Sequence, residues 1–162
     1  MSGTTPAEAL DALRERGWTL GVAESLTGGA VCAALVAVPG ASAVLLGGVV
    51  AYATPLKHTL LGVDTDLLER YGPVHPEVAR QMAAGVREAV AVDGLPADVG
   101  VSTTGIAGPE SPDGQPVGTV HIGVVTPTVS RTRPFHFEGD RDAVRAQTVA
   151  AVLDVLAAAL RE

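Results

Sequence analysis

The sequence predicts an α/β fold, a single three-layer α/β/α domain with a mixed, mostly parallel sheet. Three observations predict it. Short β-tolerant runs alternate with helix-like segments over roughly the first two thirds of the chain. Two further strand-like segments then follow with only a few residues between them, too few for a parallel crossover, so they should pair antiparallel. A long helix with an apolar stripe closes the chain. At 162 residues the length suits one domain over residues 1–162, with no repeat, low-complexity tract or interdomain linker.

The elements follow in order. Pro6 to Arg16 reads as a helix, with Thr5 as N-cap, Pro6 at its first position and Gly17 as its stop. Trp18 to Ala23 is a short apolar strand. It gives way to the polar turn Glu24-Ser25-Leu26-Thr27-Gly28-Gly29 and then to a helix over Ala30 to Val38, closed by Pro39-Gly40. Val44 to Ala53 is a second strand, apolar throughout, as a sheet covered on both faces requires. Leu56 to Leu61 and Asp64 to Tyr71 form two short helices. His75 to Val92 is a longer one, with Val78, Met82, Val86 and Ala89 on one stripe. Val99 to Thr103 is the third strand and ends in Thr104-Gly105-Ile106-Ala107-Gly108-Pro109, and Glu110 to Pro116 is a surface loop. Val117 to Thr126 and Arg131 to Phe137 make the hairpin, and Asp140 to Leu160 is the final helix, with Val144, Thr148, Val152, Val155 and Ala159 facing inward.

Composition narrows the function classes. Apolar residues are 47% and aromatics only 3%, so Ala, Val and Leu must fill the core, and small side chains let helices lie close to a sheet. The formal charge of −7 argues against a nucleic-acid binder, which needs a basic face to replace phosphate counterions. A single cysteine, Cys32, excludes an intrachain disulfide, fits a reducing compartment and lies in an apolar helical run as a packing residue. Met1 to Glu15 mixes charges and lacks the apolar block of a signal peptide. No segment approaches the ~20 apolar residues of a membrane span. The expected address is the cytoplasm, with no membrane partner. The four histidines are scattered without ligand spacing, so no metal is expected, and no cofactor is.

Ligands of open α/β sheets gather where strands end and helices begin, and two such junctions here are unusual. At Glu24 to Gly29, unpaired N–H groups of a helix start can hold a phosphate or an oxyanion, and Gly28 and Gly29 admit a ligand close to the backbone. The same residues also read as a capped helix, with Ser25 or Thr27 as the cap. At Ser102 to Pro109, two glycines and a proline fix a bend beyond a strand, which also reads as an ordinary turn. Tyr52 and Lys57 follow the second strand, and a lysine of depressed pKa can serve a serine as general base; a packed tyrosine and a surface lysine are the alternative. Arg141 and Arg145 share a helix face and suit a phosphate, or an ion pair with Asp142 or Glu138.

Taken in order, Ala-Glu-Ser-Leu-Thr-Gly-Gly, Gly-Gly-Val-Val-Ala-Tyr-x4-Lys, Thr-Gly-Ile-Ala-Gly-Pro, Pro-Val-Gly-Thr-Val and Gly-Asp-Arg-x3-Arg strongly resemble the CinA C-terminal family. That family is also described as competence- and damage-inducible protein or PncC-type nicotinamide-mononucleotide deamidase. The resemblance runs from about Val22 to the C-terminus and is to the stand-alone form, without the N-terminal domain that longer members carry. It implies hydrolysis of the carboxamide of nicotinamide mononucleotide to nicotinate mononucleotide and ammonia, as in pyridine-nucleotide salvage. It also implies a serine nucleophile with tyrosine and lysine beside it, which by motif are Ser25, Tyr52 and Lys57. The Thr104 to Gly108 loop and Arg141 are family-like positions for shaping the pocket or binding substrate.

The residues suit the reaction that the resemblance implies, with the following roles expected of them. Ser25 attacks the amide carbon, and Lys57 accepts its proton directly or through Tyr52. N–H groups around Thr27, Gly28 and Gly29 hold the oxyanion, and Thr104, Gly105, Ala107 and Gly108 line the pocket. Arg141, with Arg145, holds the phosphate. The sequence departs from the family pattern at His75, where a small polar residue is expected, and at Glu110-Ser111-Pro112, where the loop is expected to be richer in glycine. A non-catalytic nucleotide-binding module, or a protein-interaction role in competence or DNA-damage responses, is the alternative. The Ala-rich helices point to an apolar surface covered by a second subunit, hence a homodimer.

Overall fold

The computed structural model describes residues 3–162; Met1 and Ser2, part of the N-terminal stretch discussed above, lie outside the described residues. The chain forms α1 (Pro6–Arg16), β1 (Leu20–Glu24), α2 (Ala30–Val36), β2 (Leu45–Val50), α3 (Thr54–Leu61), α4 (Thr65–Tyr71), α5 (Pro76–Ala89), β3 (Val99–Gly105), β4 (Thr119–Val125), β5 (Ser130–His136) and α6 (Arg141–Leu160). Local chemistry sets several ends. Thr5 and Glu8 make a reciprocal capping box at the start of α1, and Gly17 ends it in the left-handed region at φ 68°. His75 caps α5, its Nδ1 accepting from the Glu77 N–H at 3.1 Å. An imidazole thus does there what a small polar residue does at other N-caps.

The strands form one sheet in the order β2-β1-β3-β4-β5. β1 pairs parallel with both β2 and β3, while β3 with β4 and β4 with β5 pair antiparallel. The sheet is therefore mixed, with every strand but β4 running the same way. One face is covered by α1, α2 and α6 over a core that includes Leu10, Leu13, Val22, Leu35, Val101, Ile122, Val152 and Leu156. The other is covered by α3, α4 and α5 over Ala23, Leu61, Val78, Met82 and Val86. This is the expected three-layer α/β/α arrangement. The small residues have the expected effect under α5: a Cβ on Gly100 would collide with the Ala83 carbonyl, and one on Gly123 with that of Ala79. The helix backbone thus lies nearly on the sheet.

Three expectations need correction. β2 is an edge strand and only half-buried, with Val50 exposed, because its continuous apolar run has β1 on one side and no strand on the other. Ala89 is exposed at the end of α5, and Val90 packs on the core in its place. Finally, α6 is long and apolar enough to cross a membrane by length and composition; half of its most apolar stretch is buried within this fold. Its expected inner residues Val144, Thr148, Val152, Val155 and Ala159 are all buried there.

Candidate active site

The chain leaves β1 through α2 to β2 on one flank, and later returns through α5 to β3 on the other. The C-terminal ends of the parallel pair β1 and β3 therefore open between two helical layers, the crevice where α/β sheets take ligands. Ser25 is the first residue past β1, and the loop from Ile106 begins where β3 ends.

Glu24 builds the corner that presents Ser25. Its side chain is fully buried, and its carboxylate turns back onto the start of α2. Oε1 accepts from the N–H groups of Gly29 at 3.1 Å and Val31 at 2.9 Å, and Oε2 from Cys32 at 3.0 Å. A buried charge is tolerable when its oxygens are satisfied by donors in this way, and the positive end of the helix favours it. Gly28 and Gly29 bend the chain between Ser25 and α2 at φ 58° and 105°, in the left-handed region that glycine enters without strain. The backbone of Ser25 is fixed as well, its N–H donating to Thr103 Oγ1 at 3.2 Å; the hydroxyls of Thr103 and Thr27 pair at 2.9 Å. Arg145 of α6 completes the corner from outside, donating to the carbonyls of Leu26 at 2.9 Å and Thr27 at 3.1 Å.

Lys57, at 1% exposure, meets Ser25 from α3. Its Nζ lies 2.9 Å from Ser25 Oγ, 2.7 Å from the Ala51 carbonyl and 3.4 Å from the Tyr52 carbonyl. Burial pushes the amine down from 10.5 to about 8. A neutral amine has two hydrogens and one lone pair. The two carbonyls, which can only accept, take the hydrogens, and the lone pair is left facing the serine hydroxyl. The pair thus meets the geometric requirement for a nucleophile within reach of its base.

Ser25 and Lys57 lie in the wall of a cavity of about 390 Å³. Tyr52, Thr104, Gly105, Ala107, Gly108 and Arg141 line it too, as do Leu26, Glu110 and Asp113. Arg141 sits on the rim, donating to the Gly108 carbonyl at 2.7 Å and to the Tyr52 hydroxyl at 3.1 Å. The hydroxyl of Thr104 is taken by the Pro73 carbonyl at 2.6 Å.

Four of the expected substrate-binding residues do not line this cavity: Thr27, Gly28, Gly29 and Arg145. The Gly28 N–H donates to the Ser25 carbonyl and that of Gly29 to Glu24, so neither is free for an oxyanion. Thr27 is fully buried against Thr103, and Arg145 is occupied by the turn. The free donors lie earlier in the turn: the N–H groups of Leu26 and Thr27 have no acceptor among the described residues. Tyr52 also departs from expectation. Its backbone carbonyl, not its hydroxyl, reaches Lys57, and its ring is mostly exposed with the hydroxyl on Arg141. The sequence reading assigns no positioning role to Glu24, which stands inside the first motif, or to Thr103, which directly precedes the third. An acidic residue just before a serine at a strand end is the available signal for Glu24. Cys32 packs against the core, and burial first and Glu24 second push its thiol up to about 12, so it stays protonated.

The family model for the CinA C-terminal domain matches residues 3–160. A CinA-like protein of Frankia casuarinae is 46% identical over 147 residues, covering 91% of this chain and 33% of the relative. A putative competence-damage inducible protein of Desulforamulus reducens is 45% identical over 141 residues, covering 87% of this chain and 33% of the relative. The chain thus spans about a third of the length of these relatives. Among solved structures, a competence-damaged protein (CinA) superfamily protein from Klebsiella pneumoniae superposes with a TM-score of 0.89 at 32% identity, covering 96% of this chain and 95% of that one. A competence/damage inducible protein from Agrobacterium tumefaciens superposes with a TM-score of 0.85 at 31% identity, covering 97% and 93%. With the model matching nearly end to end and the fold shared at that level, the chain belongs to the CinA C-terminal domain family.

Proposed function

We propose that this chain is an amidohydrolase that converts nicotinamide mononucleotide and water to nicotinate mononucleotide and ammonia. The observation that carries the reading is the position of Lys57 Nζ, 2.9 Å from Ser25 Oγ and bound to the Ala51 carbonyl, in a cavity of a size to hold the reacting end of a mononucleotide. Ser25 Oγ attacks the carboxamide carbon while Lys57 takes its proton. The tetrahedral oxyanion lies against the N–H of Leu26, the residue following the nucleophile, where an oxyanion donor is most effective. Collapse breaks the C–N bond, and the Lys57 ammonium returns the proton to the departing nitrogen, which leaves as ammonia. Water then attacks the ester carbon, gives one proton to Lys57 and releases the carboxylate, and Lys57 reprotonates Ser25. Arg141 on the rim pairs with the phosphate, and Tyr52 holds Arg141 in place.

The same reading puts the protein in the cytoplasm, without nucleic acid, as a homodimer. The net charge of −7 and the exposed apolar side chains Val36 and Val50 near the edge strand support the last two points. The direct test is ammonia release from nicotinamide mononucleotide. Wild type releases it, and Ser25→Ala and Lys57→Met each lower the rate by about a thousandfold or more while the ligand still binds. Binding without ammonia release in wild type makes the chain a nucleotide-binding module instead.

A further inference from the structure

The cavity beside Ser25 carries charges of both signs: Arg141 from α6, and Glu110 and Asp113 from the loop after β3. They are not equivalent. Arg141 is held by the Gly108 carbonyl and the Tyr52 hydroxyl. Asp113 is engaged within its own loop, accepting from the Gln115 N–H at 3.2 Å and the Gln115 side-chain amide at 2.8 Å. Glu110 is exposed at the cavity wall and makes no hydrogen bond or ion pair with any of the described residues, so its carboxylate is available to a ligand. A cavity of about 390 Å³ is roughly 9 Å across, slightly more than the ~8 Å Debye length at physiological salt, so a charge on its wall acts mainly on the part of a ligand beside it.

We propose that Glu110 is a specificity residue that selects amides carrying a positive charge on the ring that bears the carboxamide. The inference rests on the amidohydrolase reading for the identity of its ligand. A purely anionic ligand is attracted by Arg141 but repelled by Glu110. A dipolar one satisfies both, its anionic end on Arg141 and its cationic ring toward Glu110. Charge complementarity of this kind fixes the orientation of the ligand as well as its affinity. It also disfavours analogues of the same shape whose ring is neutral.

The test compares two probes that differ in ring charge and share the phosphate and the carboxamide: nicotinamide mononucleotide and its dihydropyridine form. Binding is the readout, because reduction of the ring also makes the amide carbon less electrophilic and confounds turnover. In Ser25→Ala, which binds without reacting, the pyridinium form binds more tightly than the dihydro form by at least about threefold, and adding Glu110→Gln removes most of that ratio. The proposal is overturned if the ratio survives Glu110→Gln, if the substitution weakens both probes alike, or if neither probe binds. Wild-type ammonia release is measured alongside. No release, with a Glu110-dependent ratio intact, refutes the hydrolase reading and leaves the charge selection standing. Release with no such ratio does the reverse.

Discussion

At the scale of single residues, the proposed chemistry turns on how far the fold alters Lys57. An exposed lysine is an ammonium ion at neutral pH and cannot take a proton from serine. Inside the protein the same amine is desolvated and falls to about 8, so a usable fraction is neutral near pH 7. In the proposed reaction the neutral form is the base. We therefore expect kcat/KM for nicotinamide mononucleotide to rise about tenfold per pH unit below about 8 and to level off above it, which a pH–rate profile checks. A profile flat from pH 6 to 9 removes Lys57 from the proton transfer. The residue types of these three were legible in the sequence, since Ser25, Tyr52 and Lys57 stand in recognisable motifs. The division of labour was not. Tyr52 contributes its carbonyl to the amine and its hydroxyl to Arg141, and which end of a residue meets a neighbour depends on the path of the chain after β2, not on spacing.

At the scale of elements, the corner between β1 and α2 decides where Ser25 points. The strand, turn and helix were legible from the abrupt change at Glu24, and the two glycines were read as admitting a ligand close to the backbone. The reason for the glycines differs from the one expected: both occupy left-handed backbone, and Gly29 hands its N–H to Glu24 instead of to a ligand. That carboxylate reaches residues five, seven and eight positions ahead, a separation that no local pattern reveals. Removing it leaves three N–H groups at a buried helix start without an acceptor. Glu24→Ala is thus expected to cost about 3 kcal/mol or more of unfolding free energy, and Glu24→Gln, which keeps one good acceptor oxygen, less than that. Urea titrations of the two variants against wild type check the order. Equal stability for all three would mean that the cap carries no energy.

At the scale of the molecule, the fold class followed from the alternation of elements and the short hairpin link, but the strand order did not. Placing β1 between β2 and β3 creates the crevice and leaves β2 at an edge, and no local feature of an apolar run distinguishes an edge strand from a central one. The resulting edge has unpaired backbone groups and exposed Val50, with exposed Val36 of the neighbouring helix nearby. Such an edge invites pairing or cover. Sedimentation equilibrium is expected to give a dimer for wild type and a shift toward monomer for Val36→Asp combined with Val50→Asp; a wild-type monomer at micromolar concentration contradicts the homodimer.

In the proposed reaction, amide cleavage passes through an ester on Ser25. Hydroxylamine tests this without requiring the ester to accumulate, because a stronger nucleophile than water intercepts an acyl-enzyme at the second step. With nicotinamide mononucleotide and rising hydroxylamine, wild type is expected to form the hydroxamate of nicotinate mononucleotide at the expense of the carboxylate, and Ser25→Ala neither product. Carboxylate as the sole product at every hydroxylamine concentration, formed as fast by Ser25→Ala as by wild type, would contradict it.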